Sequence, residues 1–283
     1  MSKSKRVAQL AAALVLALGA SVAVSETRKE FHFPVGSRAS ISITNEYGPV
    51  IVRPGSAKEV VVTAIVHSDK AEVDQSQSGN RIDITSHLLQ GADSESGRID
   101  YELLVPPDAS VNLHSITGPL RAEKLHGDVT LQGAAAQVEV RDISDAHVHV
   151  RTLNGPITLT NIRNGHVEIT SVSGDVTLTS VSGPLVQVSS TSGRILYDGD
   201  FGDGGEYSLT SHSGDIQATA PSYASMDVTA RSVNGSVVND FPLQPKHTPF
   251  MIKAGSAFAG TMGKAASSVK LFSISGKIHL KKR

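Results

Sequence analysis

Residues 155–185 read GPITLTNIRNGHVEITSVSGDVTLTSVSGPL, three consecutive copies of one short pattern and the start of a fourth. Each copy opens on a glycine, places apolar residues two and four positions later, and ends in small polar residues before the next glycine. Working outward, Gly127-Asp-Val-Thr-Leu, Gly155-Pro-Ile-Thr-Leu, Gly165-His-Val-Glu-Ile and Gly174-Asp-Val-Thr-Leu fit in full, and Gly118, Gly183 and Gly193 fit in part. Ala136-Gln-Val-Glu-Val and Ala146-His-Val-His-Val fill the two gaps. Every step from 118 to 193 is nine or ten residues. Such a sustained period marks a repeat architecture, in which each unit buries its apolar face only against its neighbours.

Each unit reads as one strand and one corner. In Asp175-Val-Thr-Leu-Thr179, alternation sends Val176 and Leu178 inward and the threonines outward. Ile162, Val172 and Val181 sit near the next glycine and are expected to plug the corners. Asn154, Asn164, Ser173, Ser182 and Ser192 each precede a glycine, which predicts positive-φ corners. The twofold period and the β-branched content exclude helices. The fold class expected is therefore all-β, a single-stranded β-solenoid of 9–10-residue strand-corner units. Two units make a flattened rung of about 19 residues, three a triangular one of about 29; two is the preferred reading.

The beat loosens after Gly193 and resumes at Gly214, Gly235 and Gly276, with a Pro-, Gly- and Ala-rich insertion at about 240–266. Residues 26–115 read as an N-terminal β cap sharing one core with the solenoid of 116–283. Strands are expected at 39–44, 50–52, 60–66, 81–85 and 99–105, and polar loops at 75–80 and 91–97. Residues 1–25 form a leader. Lys3, Lys5 and Arg6 precede an apolar run from Val7 to Val24, and Ser21-Val-Ala23 offers a cleavage site. The competing reading is a retained anchor, since 18 residues just span a bilayer. No later segment is long or apolar enough to cross. The address expected is exported, periplasmic or on the surface of a bacterium.

Composition narrows the function. Across 283 residues, 26 basic balance 27 acidic side chains, and loss of the leader leaves 23 against 27, so nucleic acid is not an expected partner. Cysteine is absent, which excludes disulfides, thiolate metal sites and a cysteine nucleophile. Aromatics are 4% with no Trp, a poor supply of the rings on which sugars stack.

Asn45–Val52, Leu104-Val-Pro-Pro107, the run of Ser/Asn-Gly corners and the terminal Ser273-Ile-Ser-Gly-Lys-Ile278 together resemble the bacterial putative-adhesin family of exported β-strand repeat proteins. The resemblance covers nearly the whole chain after the leader. It implies fold and address and supplies no catalytic residue to carry over.

Two polar clusters stand out. His147 and His149 flank Val148 and point outward; His166 and Glu168 flank Val167 in the same way 19 residues later, and Asp128 and Thr130 stand 19 earlier. On a two-unit rung, His147, His149, His166 and Glu168 form a two-by-two patch, about 5 Å between rungs and 7 Å along the strand. Imidazole and carboxylate at that spacing suit zinc or another divalent ion, or a pH-responsive surface. The plain alternative is a solvated face that takes polar residues of any kind and lacks the outer partners of a tight site. Asp198, Asp200, Asp203 and Glu206 in a glycine-rich loop could wrap calcium. Their spacing misses the EF-hand pattern and lacks a repeated Gly-Gly-x-Gly-x-Asp array, and a three-residue corner insertion kept soluble by acids is the plainer reading. Ser267-x-x-Lys270 and Ser232-Val-Asn234 echo serine acyl-transferases in inverted order, as chance provides. No catalytic residue or cofactor is assigned. The function expected is a non-catalytic envelope protein with an adhesin-like interaction or scaffold surface, its partner an envelope or surface component, protein or polysaccharide. A polysaccharide-active β-helix enzyme and a metal- or pH-responsive envelope protein are the alternatives.

Overall fold

The computed structural model describes residues 26–202, 204–246 and 256–283. The leader, Asp203 and the middle of the insertion lie outside the described residues. Those described contain strands, turns and loops, arranged as two long sheets of twelve and thirteen strands. The chain alternates between the sheets, one strand in each per rung, as a flattened two-strand coil. Parallel pairing stacks each unit on the one two before it. Val148 lies beside Val167, Val167 beside Val186 and Val186 beside Tyr207 in one sheet. Leu159, Leu178 and Tyr197 follow one another in the other. The fold is thus the all-β solenoid expected, with two units to the rung. The inward members of each alternating pair are fully buried, and one apolar cluster runs from Phe33 to Leu280.

The two edges of the coil turn by different means. Both edges bring successive corners close, a Cβ on Gly183 lying 2.0 Å from the Gly165 carbonyl oxygen at the edge leading into the thirteen-stranded sheet. Only at the edge leading into the twelve-stranded sheet does a regular column of glycines run beside buried hydroxyls. A Cβ on Gly174 would lie 1.9 Å from the carbonyl oxygen of Gly155, one on Gly193 2.1 Å from that of Gly174, and one on Gly214 2.1 Å from that of Gly193. These glycines are required by the close approach of successive rungs. The expected positive φ is not adopted at Asn154, Ser173, Ser182 or Ser192 and is found at Asn164, φ 50°, on the opposite edge. Along this edge the residue three before each stacked glycine is a buried hydroxyl. Thr152, Ser171 and Ser190 donate to the carbonyls of Gly155, Gly174 and Gly193 at 3.1, 2.9 and 3.0 Å. Ser211 and Ser273 accept from the N–H groups of Gly214 and Gly276, both at 2.8 Å. A turn buried at both ends thereby satisfies its backbone polar groups. Ile162 and Val181 plug the opposite edge as expected. Val172 does not plug its own edge; Ser171 takes the interior and Val172 points to solvent.

Both ends of the stack depart from chain order. The last rung, Ser267–Ser273 with Ile278–Lys282, is not terminal in space. Ser267–Ser273 lies between Glu206–Ser211 and Met226–Ser232, and Ile278–Lys282 lies between Ile216–Ala220 and Val237–Asn239. At the other end, Ser40–Tyr47 sits between Arg81–Leu88 and Ser110–Thr117. Antiparallel strands finish the ends. Thr27–Pro34 pairs Glu59–Val66, which pairs Ile99–Val105. Ala71–Ser78 covers Arg81–Leu88, so Gln75–Ser78 belong to a strand and not to the loop expected at 75–80. Its apolar alternation is weak because an edge strand has little to bury, and its polar side chains discourage further pairing. Within the insertion, Ala257–Met262 pairs Met226–Ser232 antiparallel.

Candidate functional site

The two-strand rung brings the histidine face together. His147 pairs in register with His166, and His149 with Glu168. The His147 and His166 rings meet edge to face with centroids 4.8 Å apart, and His147 Nε2 lies 3.1 Å from His166 Nδ1. His149 Nδ1 is 3.4 Å from a Glu168 carboxylate oxygen. Asp128 stands on the other side of His147, its Oδ1 3.0 Å from the backbone nitrogen and 3.2 Å from Nδ1. Asp128 thus holds the His147 ring from the preceding rung, a contact that a merely solvated ladder was not expected to supply. Among the described residues, no three His, Asp or Glu groups converge on one point.

The acidic loop is not brought together in the same way. Asp198 ends a strand of one sheet and Glu206 begins a strand of the other. Asp198 pairs with Arg283, Glu206 pairs with Lys270 at 2.7 Å, and Asp200 accepts from the Gly202 N–H at 3.0 Å. Arg163 and Arg283 line the same shallow groove as Asp200, so a cation there would face two guanidinium groups. Asp203 lies outside the described residues. What the loop does deliver is Phe201, fully buried at φ 63°. Its ring stacks on Tyr197 at 4.7 Å and meets Tyr207 edge-on at 5.1 Å. Tyr197 Oη donates to the Val181 carbonyl at 3.0 Å and accepts from the Phe201 N–H at 3.1 Å. Burial pushes the Tyr197 phenol far above its ordinary value and that of Tyr207 up to about 12. The insertion is a core plug more than a solvated corner.

The serine pairs are likewise used by the framework. Ser267 Oγ bonds the Gly202 carbonyl, Lys270 is held by Glu206, and Ser232 Oγ donates to the Gly276 carbonyl at 2.7 Å.

A further feature escaped the reading of the sequence. Along the edge leading into the twelve-stranded sheet, the residue two before each stacked glycine turns outward, and these residues are largely apolar. Ile116 is 40% exposed, Leu153 51%, Val172 41% and Val233 47%. Backbone bonds order them. Ser173 N–H donates to the Leu153 carbonyl and Ser192 N–H to that of Val172, both at 2.9 Å, and Asn234 N–H to that of Ile274 at 2.7 Å. Ala134, Thr191, His212 and Ile274 complete a row of eight rungs, roughly 34 Å long. Beside it runs a row of hydroxyls. Ser173, Ser192 and Ser213 each donate to a carbonyl of the preceding rung at 3.2, 3.2 and 3.1 Å. The signal was present in the sequence as an apolar residue at a fixed offset from the glycine. The inward assignment of Val172 concealed it.

These observations define a two-strand β-solenoid with an apolar ridge along one edge and a histidine face on one sheet. The chain belongs to the Toastrack DUF4097 family, whose model matches residues 39–281. No curated protein matches it. Among solved structures, it is similar to a putative adhesin from Parabacteroides distasonis, with 9% identity and a TM-score of 0.43 over 92% of this chain and 98% of that one. A putative adhesin from Bacteroides fragilis gives 13% and 0.40 over 92% and 99%. A putative cell adhesion protein from Clostridium sporogenes gives 12% and 0.32 over 91% and 100%. Among the described residues, no helix is long and apolar enough to cross a membrane.

Proposed function

We propose that this chain is a non-catalytic, exported envelope protein whose repeat surface binds a protein or polysaccharide of the envelope or of a neighbouring surface, as an adhesin does. The observation that carries the reading is the edge ridge. Its exposed Leu153, Val172, Ile116 and Val233 are not needed for the core, which is filled by the inward positions of the same rungs. Apolar side chains repeated at one spacing beside a row of hydroxyls offer many small contacts to an extended partner. Contacts of that kind gain strength by multiplicity more than by any single site. The leader read at residues 1–25 supports export.

The test is a ridge variant. Leu153→Glu combined with Val172→Glu places two carboxylates on adjacent rungs without touching the core. Cells expressing the variant should bind matrix proteins and surface polysaccharide at least tenfold less well than cells expressing the parent, at equal abundance and unchanged melting temperature. Undiminished binding would remove the ridge from the function.

A further inference from the structure

We propose that His147 and His166 form a zinc site bridging two neighbouring rungs, with Asp128 as the positioning residue for the first ligand. Hydrogen-bond roles fix the state of the first ligand. A carboxylate only accepts, so Asp128 Oδ1, 3.2 Å from His147 Nδ1, receives that nitrogen's proton. The same oxygen accepts the His147 backbone N–H at 3.0 Å. Together the two bonds set the ring's tautomer and its swing, and in the neutral ring they leave the lone pair on Nε2, directed at the next rung. There it meets His166 Nδ1 at 3.1 Å. Two imidazole nitrogens on one tetrahedral zinc, each bonded at about 2.0–2.1 Å, stand about 3.3–3.4 Å apart. To share a zinc, the pair opens by a few tenths of an ångström and both exposed rings turn so that their lone pairs converge beside the line joining the two nitrogens, with His166 carrying its proton on Nε2. A carboxylate on the far nitrogen of a metal-bound imidazole is the usual outer partner of such a ligand, fixing tautomer and orientation.

The choice of ion follows from the donors. Neutral imidazole suits zinc, whereas calcium and magnesium take oxygen ligands. His149 and Glu168 are engaged with one another at 3.4 Å, two positions along the same strands. The protein thus supplies two ligands and water the remaining positions, an open and exchangeable site unlike a closed structural one. The site rests on the fold's two-strand rung and not on the adhesin-like reading.

The test is calorimetric titration of ZnCl2 into untagged protein purified from expressing cells, in a non-chelating buffer. One zinc per chain is expected. His147→Ala and His166→Ala should each weaken binding at least tenfold. Asp128→Ala should weaken it about tenfold or more, and Asp128→Asn, which keeps an acceptor, should recover part of that loss. His212→Ala, on the distant edge, should change nothing. His147, His166 and Asp128 are all exposed, so the variants should keep the parent's circular dichroism and melting temperature. Absence of stoichiometric binding to the parent, or binding that survives the His147→Ala/His166→Ala double variant, overturns the site. Parent-like affinity in Asp128→Ala overturns the positioning role.

Discussion

The corner glycines carry more of this architecture than their size suggests. At Gly174 the carbonyl of Gly155 occupies the space a Cβ would take, and the same contact recurs at Gly193, Gly214 and Gly276. Gly174→Ala would have to push two rungs apart and should cost about 3 kcal/mol, readable as a fall in the denaturation midpoint. By contrast Gly79, with open space around it, adopts φ 60° in a hairpin turn, so Gly79→Asn should fold with little loss. The buried hydroxyls three residues earlier have their own role. Ser171→Ala removes the donor to the Gly174 carbonyl and leaves that oxygen without its side-chain partner, at a cost of about 1–2 kcal/mol. Across the rungs, the Arg194 guanidinium hydrogen-bonds Asp175 and, with help from the Arg194 backbone N–H, holds its carboxyl below the ordinary carboxylate value. Its folded value lies below the ordinary one, so this contribution is present above the ordinary carboxylate range and is lost as pH falls through the folded value. In an NMR titration, Arg194→Ala should move the Asp175 midpoint upward.

At the scale of the strand, the sequence was most readable where one rung repeats the next. Val176 and Leu178 were legible as core because alternation and period agreed. The register of His147 on His166 and of His149 on Glu168 followed from a rung of two units. What was hidden was whatever the period could not distinguish. Val172 and Val181 lie at the same distance before a glycine, yet one is exposed and the other buried, because the two edges of the coil turn differently. Thr27–Pro34 and Ala71–Ser78 went unread as strands because pairing at a sheet edge leaves little apolar pattern. The loop after Asp198 read as solvated because its acids outnumber its one aromatic, although Phe201 is the residue that packs. Phe201→Ala should therefore cost about 3–5 kcal/mol in chemical denaturation, whereas Asp200→Ala, exposed and bonded only locally, should cost less than about 0.5 kcal/mol.

For the molecule as a whole, the position of the last rung has the largest consequence. Residues 267–282 sit between two rungs that precede them in the chain. Deleting 267–283 should therefore open the interior, and circular dichroism should report loss of cooperative unfolding, where removal of a truly terminal rung would merely shorten the coil. An adhesin-like coil has to be reachable from outside the cell, and the most direct measurement is where it can be touched. Lys58, Lys70, Lys277 and Lys281 are exposed and offer amines to a membrane-impermeant acylating label. Intact cells should yield labelled protein to the same extent as lysed cells. Labelling that appears only after the outer membrane is opened would contradict the adhesin-like reading and confine the protein to the periplasm.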